Sequence, residues 1–291
     1  MRKVAIVTDS AANLPPELVA RHHIAVVPVL LHWNGHEYHD GVNITPGEVY
    51  RHLRQATDGA LPRTSTPSMG DFVRTYARAA QEAESIVSVH LSAELSGVYQ
   101  IAHAASELVD VPVHVLDCRT AAMGCGFTAL EAARTAEAGA DVEHVLDRTR
   151  QIARRVHVYA TLETLSYLHR GGHVPAIASI AGSVLKICPI LTVENGPARL
   201  AELPRTRRRA VARLLARMTK ETRGRPVHAA VMHADVPEEA EDLRRKVAAR
   251  FDCRELFITE FTPIMGAHTG PGVLGVAWWS EERSEASGIH G

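Results

Sequence analysis

Four hydroxyl groups lie close together between Thr64 and Ser68. The stretch reads TSTPS, with Thr64, Ser65, Thr66 and Ser68 around Pro67, and a helical pattern follows it directly. Thr66 or Ser68 can cap that helix, since a side-chain oxygen there accepts a hydrogen bond from a free backbone N–H. Capping does not use Thr64 and Ser65. Because a helix N-terminus with spare hydroxyls favours negative charge, the stretch is interpreted either as a plain cap or as an anion site.

A second strand-to-helix junction carries similar chemistry. The segment IVSVHLSAELSGVYQIAHAA places Ser92, Ser96 and Gly97 between a strand and a helix. Gly97 has no side chain, so a ligand can approach the backbone closely there. Ligands of α/β domains gather at the carboxyl ends of the strands, and the two loops are therefore predicted to share one anion or carboxylate site. Asp9 and Ser10 occupy a third junction, where capping and turn-fixing are the expected roles.

Two basic residues are further candidates for anion binding. His268 lies in the glycine-rich stretch MGAHTGPGVLGVAWW, predicted to be a loop from which its ring can donate to an anion. The G-x-G-x-x-G of that stretch is not taken as a dinucleotide site, because it contains Pro271 and precedes a strand. Arg205 precedes a basic helix at a point where a loop can turn it toward a pocket. The helix's other arginines are assigned to a solvated face.

Several catalytic and metal-binding patterns are absent or incomplete. The sequence has no G-x-S-x-G elbow and no Walker loop, and SVLK at 183–186 lacks the motifs that accompany S-x-x-K in β-lactamases. HWNGHEYH at 32–39 offers three histidines, but the flanking turn and the lack of a supporting set of acidic residues around them argue against a metal site. Neither a metal nor a cofactor is expected.

Alternating strands and helices must position these loops. The apolar runs VAIV (4–7), IAVVPVLL (24–31), IVSVHL (86–91) and VHVLD (113–117) are predicted strands, and helical patterns lie between and after them. This alternation predicts an α/β fold with a mainly parallel sheet covered by helices on both faces. A change of pattern near residue 155 predicts a second domain, so the division is 1–155 and 156–291.

Composition limits the classes of function. The chain has 291 residues and a net charge of −1, which argues against nucleic acid as the main partner. Four cysteines without C-x-x-C spacing indicate reduced thiols and a cytoplasmic location. The N-terminal apolar run ends at Thr8 and is too short for a signal peptide. HVPAIASIAGSVLKICPILTV is interrupted by Pro175, Lys186 and Pro189, and is therefore interpreted as a buried helix running into a strand rather than a membrane span.

An ordered set of short motifs resembles the DegV family. The set covers about residues 4–279 and consists of TDS (8–10), DGVNI (40–44), TSTPS (64–68), LSGVYQIA (95–102), LDCRTAAMGCG (116–126), LSYLHRGG (165–172), LKICPIL (185–191), PRTRRRA (204–210) and HTGPGVLG (268–275). Each motif is weak alone, but their order is specific. The resemblance implies two α/β domains, the second with a smaller sheet, and a long-chain fatty acid in the cleft between them.

The resemblance also implies roles for the candidate residues. Thr64 and Ser65, with Ser96 and Gly97, would hold the carboxylate of the fatty acid, while Arg205 and His268 would lie near the pocket mouth. The implied function is that of the fatty-acid-binding subunit of bacterial fatty acid kinase, a non-catalytic carrier. It presents the carboxylate to a separate ATP-dependent kinase, which makes acyl-phosphate for phospholipid synthesis. An acyl wall is expected around Ile177, Ile180, Val184 and Leu185.

Two alternatives remain open from the sequence. The first is a small-molecule serine hydrolase that uses Ser96 or Ser65 as nucleophile with His268 as base. Such an enzyme needs the hydroxyl, the base and an orienting carboxylate in mutual contact. The second is a structural or regulatory domain whose pocket has lost its function.

Overall fold

The first half of the chain forms a parallel sheet of four strands. In the computed structural model, which describes residues 2–55, 61–171 and 187–282, the strand order is β2 (Ala25–Val27), β1 (Arg2–Asp9), β6 (Ala83–His90) and β7 (Val113–Asp117). The helices packed on its two faces are α3 (Met69–Ala80) and α4 (Val98–Ser106), and α5 (Met123–Glu137) and α6 (Val142–Arg155). The predicted parallel sheet with helices on both faces is confirmed.

A small antiparallel sheet interrupts this pattern. Its order is β4 (His36–His39), β3 (Leu30–Trp33) and β5 (Arg63–Ser65). The stretch 24–31 was predicted as one strand, and this is wrong. Pro28 has no N–H to donate to a ladder, so β2 ends before it and β3 joins a different sheet. Asn34 and Gly35, both at positive φ, make the tight turn from β3 to β4.

The second half contains a mixed sheet of six strands. Their order is β10 (Ala198–Glu202), β9 (Ile190–Val193), β8 (His157–Thr161), β13 (Leu274–Ser280), β11 (Val227–His233) and β12 (Cys253–Glu260). Only β11 and β12 pair in parallel. Two α/β units are thus confirmed, but the second sheet has more strands than the first. The polar strand β10 lacks an apolar run that would predict it.

Helix α5 lies between the two large sheets and joins them. It contacts β1 and β6 on one side and β8 and β13 on the other, and its residues Met123–Ala133 are all buried. Two glycines allow this close packing. A Cβ on Gly124 would lie 2.5 Å from a methyl of Val158, and one on Gly126 would lie 2.6 Å from the carbonyl oxygen of Ala12. One hydrophobic core therefore extends through both halves of the chain.

The remaining helices cover the outside and connect the sheets. They are α1 (Pro16–Arg21), α2 (Pro46–Gln55), α7 (Ser166–Gly171), α8 (Arg207–Thr222), α9 (Pro237–Ala248) and α10 (Pro263–Thr269). Helices α8 and α9 cover the outer face of the six-stranded sheet over a second core. Helix α6 ends at Arg155 and β8 begins at His157, but the domain boundary near residue 155 stays a prediction. Within the described ranges, no helix is long and apolar enough to cross a membrane.

Candidate functional site

An apolar cavity of about 370 Å³ lies between the two halves of the molecule. This volume is within the range of roughly 300–1,000 Å³ that is usual for small-molecule sites. Both halves supply walls, with aliphatic or aromatic side chains from Val29, Leu91, Leu95, Val158, Leu162, Leu168, Leu191, Val193, Phe261, Ile264 and Met265. Polar side chains line part of the same cavity, namely Thr64, Ser65, Thr66, Ser96, Thr192, His268 and Thr269. The cavity is therefore suited to a mainly apolar molecule with a polar group.

Thr64 and His268 meet at this cavity although 204 residues separate them. The Oγ1 atom of Thr64, on β5, lies 2.9 Å from Nε2 of His268. His268 was predicted in a loop, and this is wrong: it lies in the last turn of α10, which ends at Thr269. Gly270 follows at φ 77°, and a Cβ there would lie 2.2 Å from the ring of Tyr167. A side chain at position 270 would therefore displace the end of this helix.

Ser65 borders the cavity, but its hydroxyl is bonded elsewhere. Alternate residues of a strand point to opposite faces of the sheet, so Ser65 and Thr64 leave β5 in opposite directions. The Oγ atom of Ser65 lies 2.7 Å from Nε2 of His32 on the neighbouring strand β3. Thr64 is thus half-buried beside His268, whereas Ser65 is exposed at the rim.

The second hydroxyl-bearing loop reaches the same cavity at the start of α4. Gly97 is the N-cap of this helix, and a Cβ built on it would lie 3.5 Å from Cγ2 of Thr66. Ser96 is half-buried and lines the cavity beside it. The first turn of α4 has no acidic side chain and its N-cap has no side-chain bond. Its N–H groups and the partial positive charge of the helix end can therefore act on an anion there.

Capping of the neighbouring helix is done by Ser68. Its side chain accepts from the backbone N–H of Asp71, whose carboxylate accepts in return from the backbone N–H of Ser68. This reciprocal pair is the capping box that the sequence suggested. It leaves Thr64, Ser65 and Thr66 on the cavity side of the loop, and three of the four hydroxyl residues therefore line the cavity.

A fully buried chain of polar groups lies behind the cavity wall. One Asp9 carboxylate oxygen lies 2.8 Å from Nδ1 of His90, whose Nε2 lies 2.7 Å from Oγ of Ser88, and the Tyr76 hydroxyl donates to that Oγ. Asp9 also accepts from the backbone N–H groups of Ala11 and Leu91. Ala11 and Leu91 line the cavity, so this chain holds two wall segments in place. Asp9 was expected to cap a helix or fix a turn, and the chain of polar groups was not predicted, although the alternation of Ser88 and His90 in an apolar strand signals it.

The helix that carries His268 is held by groups from the first half. The backbone N–H of Ile264 donates to Oδ1 of Asp40 across 3.2 Å, and the Tyr50 hydroxyl donates to the carbonyl of Phe261 across 2.7 Å. Asn13 accepts from the backbone N–H of Thr262. Burial raises the pKa of Asp40 to about 6, although hydrogen bonds from nearby groups oppose this rise. These contacts position α10 against α2 and the small antiparallel sheet.

The structure does not bring Arg205 to the cavity wall. Arg205 is exposed in the bend before α8, is not among the lining residues and has no ion pair with a described residue. The acyl wall expected around Ile177, Ile180, Val184 and Leu185 lies outside the described residues. The hydrolase alternative requires Ser65 or Ser96 beside His268. Within the described residues, Ser65 is bonded instead to His32, and no bond joins Ser96 to His268.

One group of potential metal ligands occurs among the described residues, away from the cavity. Donor atoms of Glu131, His228 and Glu255 all lie within 4.8 Å of one another. Arg134 and Arg148 already bond to these carboxylates, at 2.6–2.9 Å. The two arginines therefore supply the positive charge that a metal ion would otherwise bring.

Fold and site together define a class: an α/β protein with two large sheets and an apolar cavity between its two halves. The chain belongs to the DegV family, since the family profile described as "Uncharacterised protein, DegV family" matches residues 3–281. A DegV domain-containing protein of Streptomyces coelicolor is 40% identical over 94% of this chain and 98% of its own length. Protein DegV of Bacillus subtilis is 30% identical over 94% of this chain and 98% of its own length.

Solved structures of the family match almost the entire chain. A Thermus thermophilus DegV family protein described by its fatty acid binding superimposes with a TM-score of 0.90 at 32% identity, covering 97% of this chain and all of its own. DegV of Bacillus subtilis, described as a fatty acid binding protein, gives a TM-score of 0.88 at 29% identity with the same coverage. These relatives confirm the fold of two α/β domains.

Proposed function

We propose that this protein binds a long-chain fatty acid in the apolar cavity. The observation that carries the proposal is that one cavity combines aliphatic walls with a cluster of hydroxyl, imidazole and backbone N–H donors. Each buried CH₂ contributes about 0.8 kcal/mol, so an acyl chain of roughly 14–18 carbons supplies on the order of 10 kcal/mol before ordering and association costs. Two structural relatives described as fatty acid binding support the proposal.

The polar end of the cavity is the proposed carboxylate site. Thr64 and Ser96 would each donate a hydroxyl hydrogen bond, and the open N-terminus at Gly97 would contribute backbone N–H groups and the helix dipole. His268 is placed to donate once Thr64 turns its hydroxyl to the ligand. Ser65, at the rim, is proposed to contact the carboxylate from the solvent side. Because these donors hold the carboxylate at the polar end, its negative charge does not enter the apolar part of the cavity.

We further propose that the protein is a carrier that presents the carboxylate to a separate ATP-dependent kinase. The cavity offers donors for a carboxylate, and the sequence has no phosphate-binding loop of its own. Arg205 is exposed beside the exposed Arg208 and Arg209, and such a cationic run can steer an acidic partner surface. The product would be acyl-phosphate for phospholipid synthesis, and the proposed location is the cytoplasm.

Organic extraction of the purified protein followed by mass spectrometry tests the binding proposal. The expected result is close to one fatty acid per chain after expression in lipid-replete cells. Protein that is purely apo in native mass spectrometry and does not take up added fatty acid would contradict it. Esterase turnover that Ser65→Ala or Ser96→Ala abolishes would support the hydrolase alternative instead.

A further inference from the structure

A second cavity, of about 180 Å³, lies where β8 begins and is lined mainly by cationic side chains. Its walls are Arg154, Arg155, His157, Arg225 and Ser280, none of which lines the apolar cavity. Arg154 and Arg155 end helix α6, Arg225 follows helix α8, and Ser280 ends β13. Because the ends of four separate elements meet here, the folded chain and not a local basic run creates this cationic pocket.

The arginines of the cationic pocket have few anionic partners. Arg155 pairs with Glu282 at 2.7 Å, and the side chain of Glu282 is 78% exposed. Arg225 donates only to backbone carbonyl groups of Thr222 and Glu221, at 3.0 and 3.1 Å. Within the part of the chain that the structure describes, Arg154 and Arg225 form no ion pair. Among the described residues, the exposed Glu282 is therefore the one carboxylate paired with any of these three guanidinium groups.

The electrostatics of Arg155 reflect this crowding. Burial lowers the pKa of its guanidinium, and the positive charges of Arg225 and Arg148 lower it further, against the opposing effect of Glu282. An anion in the cavity would relieve this repulsion, because opposite charge close to a partly buried cation stabilises its charged form.

Several side-chain donors of the pocket residues are not used by the described protein atoms. Nε of Arg155 and Nη1 of Arg225 make no bond to a described residue. The Nδ1 atom of His157 lies 3.0 Å from Glu194, which leaves Nε2 for a ligand. The Arg155 guanidinium lies 5.9 Å from the centre of the Trp279 ring, and His157 stacks on Trp278 at 5.1 Å. These aromatic contacts hold the donors in place before a ligand arrives.

We propose that the cationic pocket binds the phosphate group of a small ligand. Guanidinium groups present paired N–H donors that match phosphate oxygens, and a phosphate carries enough charge to satisfy several of them at once. The group can belong to a soluble phosphate compound or to the head of an anionic lipid. The cationic pocket and the apolar cavity share no lining residue, so phosphate binding can be tested separately from fatty acid binding.

Calorimetric titration of the full-length protein with inorganic phosphate at low ionic strength tests the proposal. Arg154→Gln and Arg225→Gln should each weaken binding by about tenfold, because each removes a charged donor. Glu282→Gln should strengthen it by about threefold, because it removes the carboxylate that competes for Arg155. The matched control is Arg250→Gln, an exposed arginine outside the pocket, which should bind phosphate like the parent.

Vesicle flotation separates the two sources of phosphate. Binding to vesicles of phosphatidic acid but not of phosphatidylcholine, without binding of inorganic phosphate, would assign the pocket to a lipid head group. Absence of binding in both experiments, or equal affinity in the parent, Arg225→Gln and Arg250→Gln proteins, would overturn the proposal. The unfolding temperature of each variant shows whether it is folded. If Arg225→Gln fails to fold, Arg154→Gln still tests the proposal, because Arg154 is exposed and its replacement should not disturb the fold. Unchanged fatty acid content would show that the first cavity is intact.

Discussion

At Thr64 and Ser96 the wall of the apolar cavity becomes polar, and the two residues reach it from different elements, strand β5 and the loop before α4. Thr64 is fixed by the pairing of β5 with β3, opposite Leu31. Ser96 immediately precedes the N-cap of α4. Their positions are therefore set by the backbone, and replacing either side chain should remove one donor without moving the other.

We expect Thr64→Val and Ser96→Ala to weaken fatty acid binding roughly 10- to 100-fold. A hydrogen bond to a charged group is worth about 1.5–3 kcal/mol, and about 1.4 kcal/mol is a factor of ten. Because the acyl chain contributes more, lipid should remain detectable after purification. Displacement of a fluorescent fatty acid from delipidated protein measures the affinities. Ser106→Ala, at the other end of α4, is the control, and equal affinity in all variants would mean that the cavity hydroxyls hold no carboxylate.

Arg205 allows a separate test of transfer. Because its side chain is exposed and outside the cavity wall, Arg205→Ala should retain bound lipid like the parent protein. If Arg205 receives the kinase or the transferred phosphoryl group, the same variant should support little acyl-phosphate formation. Lipid content by extraction and kinase-dependent product from labelled ATP are measured together, with Arg250→Ala as control. If Arg205→Ala supports as much acyl-phosphate formation as the parent protein, Arg205 has no role in transfer and the basic run is only a solvated helix face.

At the scale of elements, the close packing of α5 depends on glycine. We expect Gly126→Ala to lower the free energy of unfolding by about 1–3 kcal/mol, because the new methyl group would lie 2.6 Å from the carbonyl oxygen of Ala12. Gly47→Ala in α2 is the matched control. A Cβ there meets nothing within 4 Å, so this change should be neutral or stabilise by about 0.5–1 kcal/mol. Urea denaturation measures both, and equal effects would contradict the role of α5 as a tightly packed central helix.

The contact between Asp40 and α10 should make stability depend on pH. The folded pKa of about 6 lies above the ordinary 3.8, so the folded state binds the proton more tightly than the unfolded state. The contribution of Asp40 is therefore fully present below about pH 4 and is lost as pH rises through about 6. The pKa difference corresponds to about 3 kcal/mol.

Asp40→Asn removes this titration and can still accept the hydrogen bond from Ile264. Its stability relative to the parent should rise by about 3 kcal/mol between pH 4 and pH 7, because the parent must ionise a buried carboxyl group there. Chemical denaturation across this range measures the difference. Asp147→Asn, at an exposed position of α6, is the control for replacing a carboxyl group by an amide. If the difference in free energy of unfolding between Asp40→Asn and the parent stays constant from pH 4 to pH 7, Asp40 does not titrate in that range and the prediction is wrong.

At the scale of the whole molecule, a ligand in the apolar cavity would contact both halves of the chain. The cavity walls include Val29 and Leu91 from the first half and Val158 and Leu191 from the second, and α5 packs against both large sheets. Fatty acid should therefore stabilise the molecule as a unit and not only one half.

We expect the unfolding temperature of delipidated protein to rise with added fatty acid. At a ligand concentration 100 times the Kd, the added free energy of unfolding is about 2.7 kcal/mol, because ligand binds only the folded state. Differential scanning calorimetry should show one transition that shifts to higher temperature as a whole. A transition that splits, with only one part moved by the lipid, would show that the acyl chain contacts a single half.

The amino-acid sequence alone determined the features that depend on neighbouring residues. The capping box of Ser68 and Asp71, the cap at Asp9 and the buried parallel strands all follow from local hydrogen bonding and apolar runs. The hydroxyl-bearing loops and the α/β class were predictable for the same reason. The ordered motifs identified the family although no single motif was sufficient.

Only the tertiary structure decided which of these residues face one another. Strand pairing turns Thr64 toward His268 and Ser65 toward His32, and a shift of one residue in register would exchange them. The Asp9–His90 contact joins neighbouring strands whose residues are 81 positions apart. The cationic pocket likewise gathers Arg155 and Arg225 from separate helix ends. Such contacts depend on how sheets and helices from distant parts of the chain pack together. Local sequence patterns report only on neighbouring residues, so they do not predict this packing.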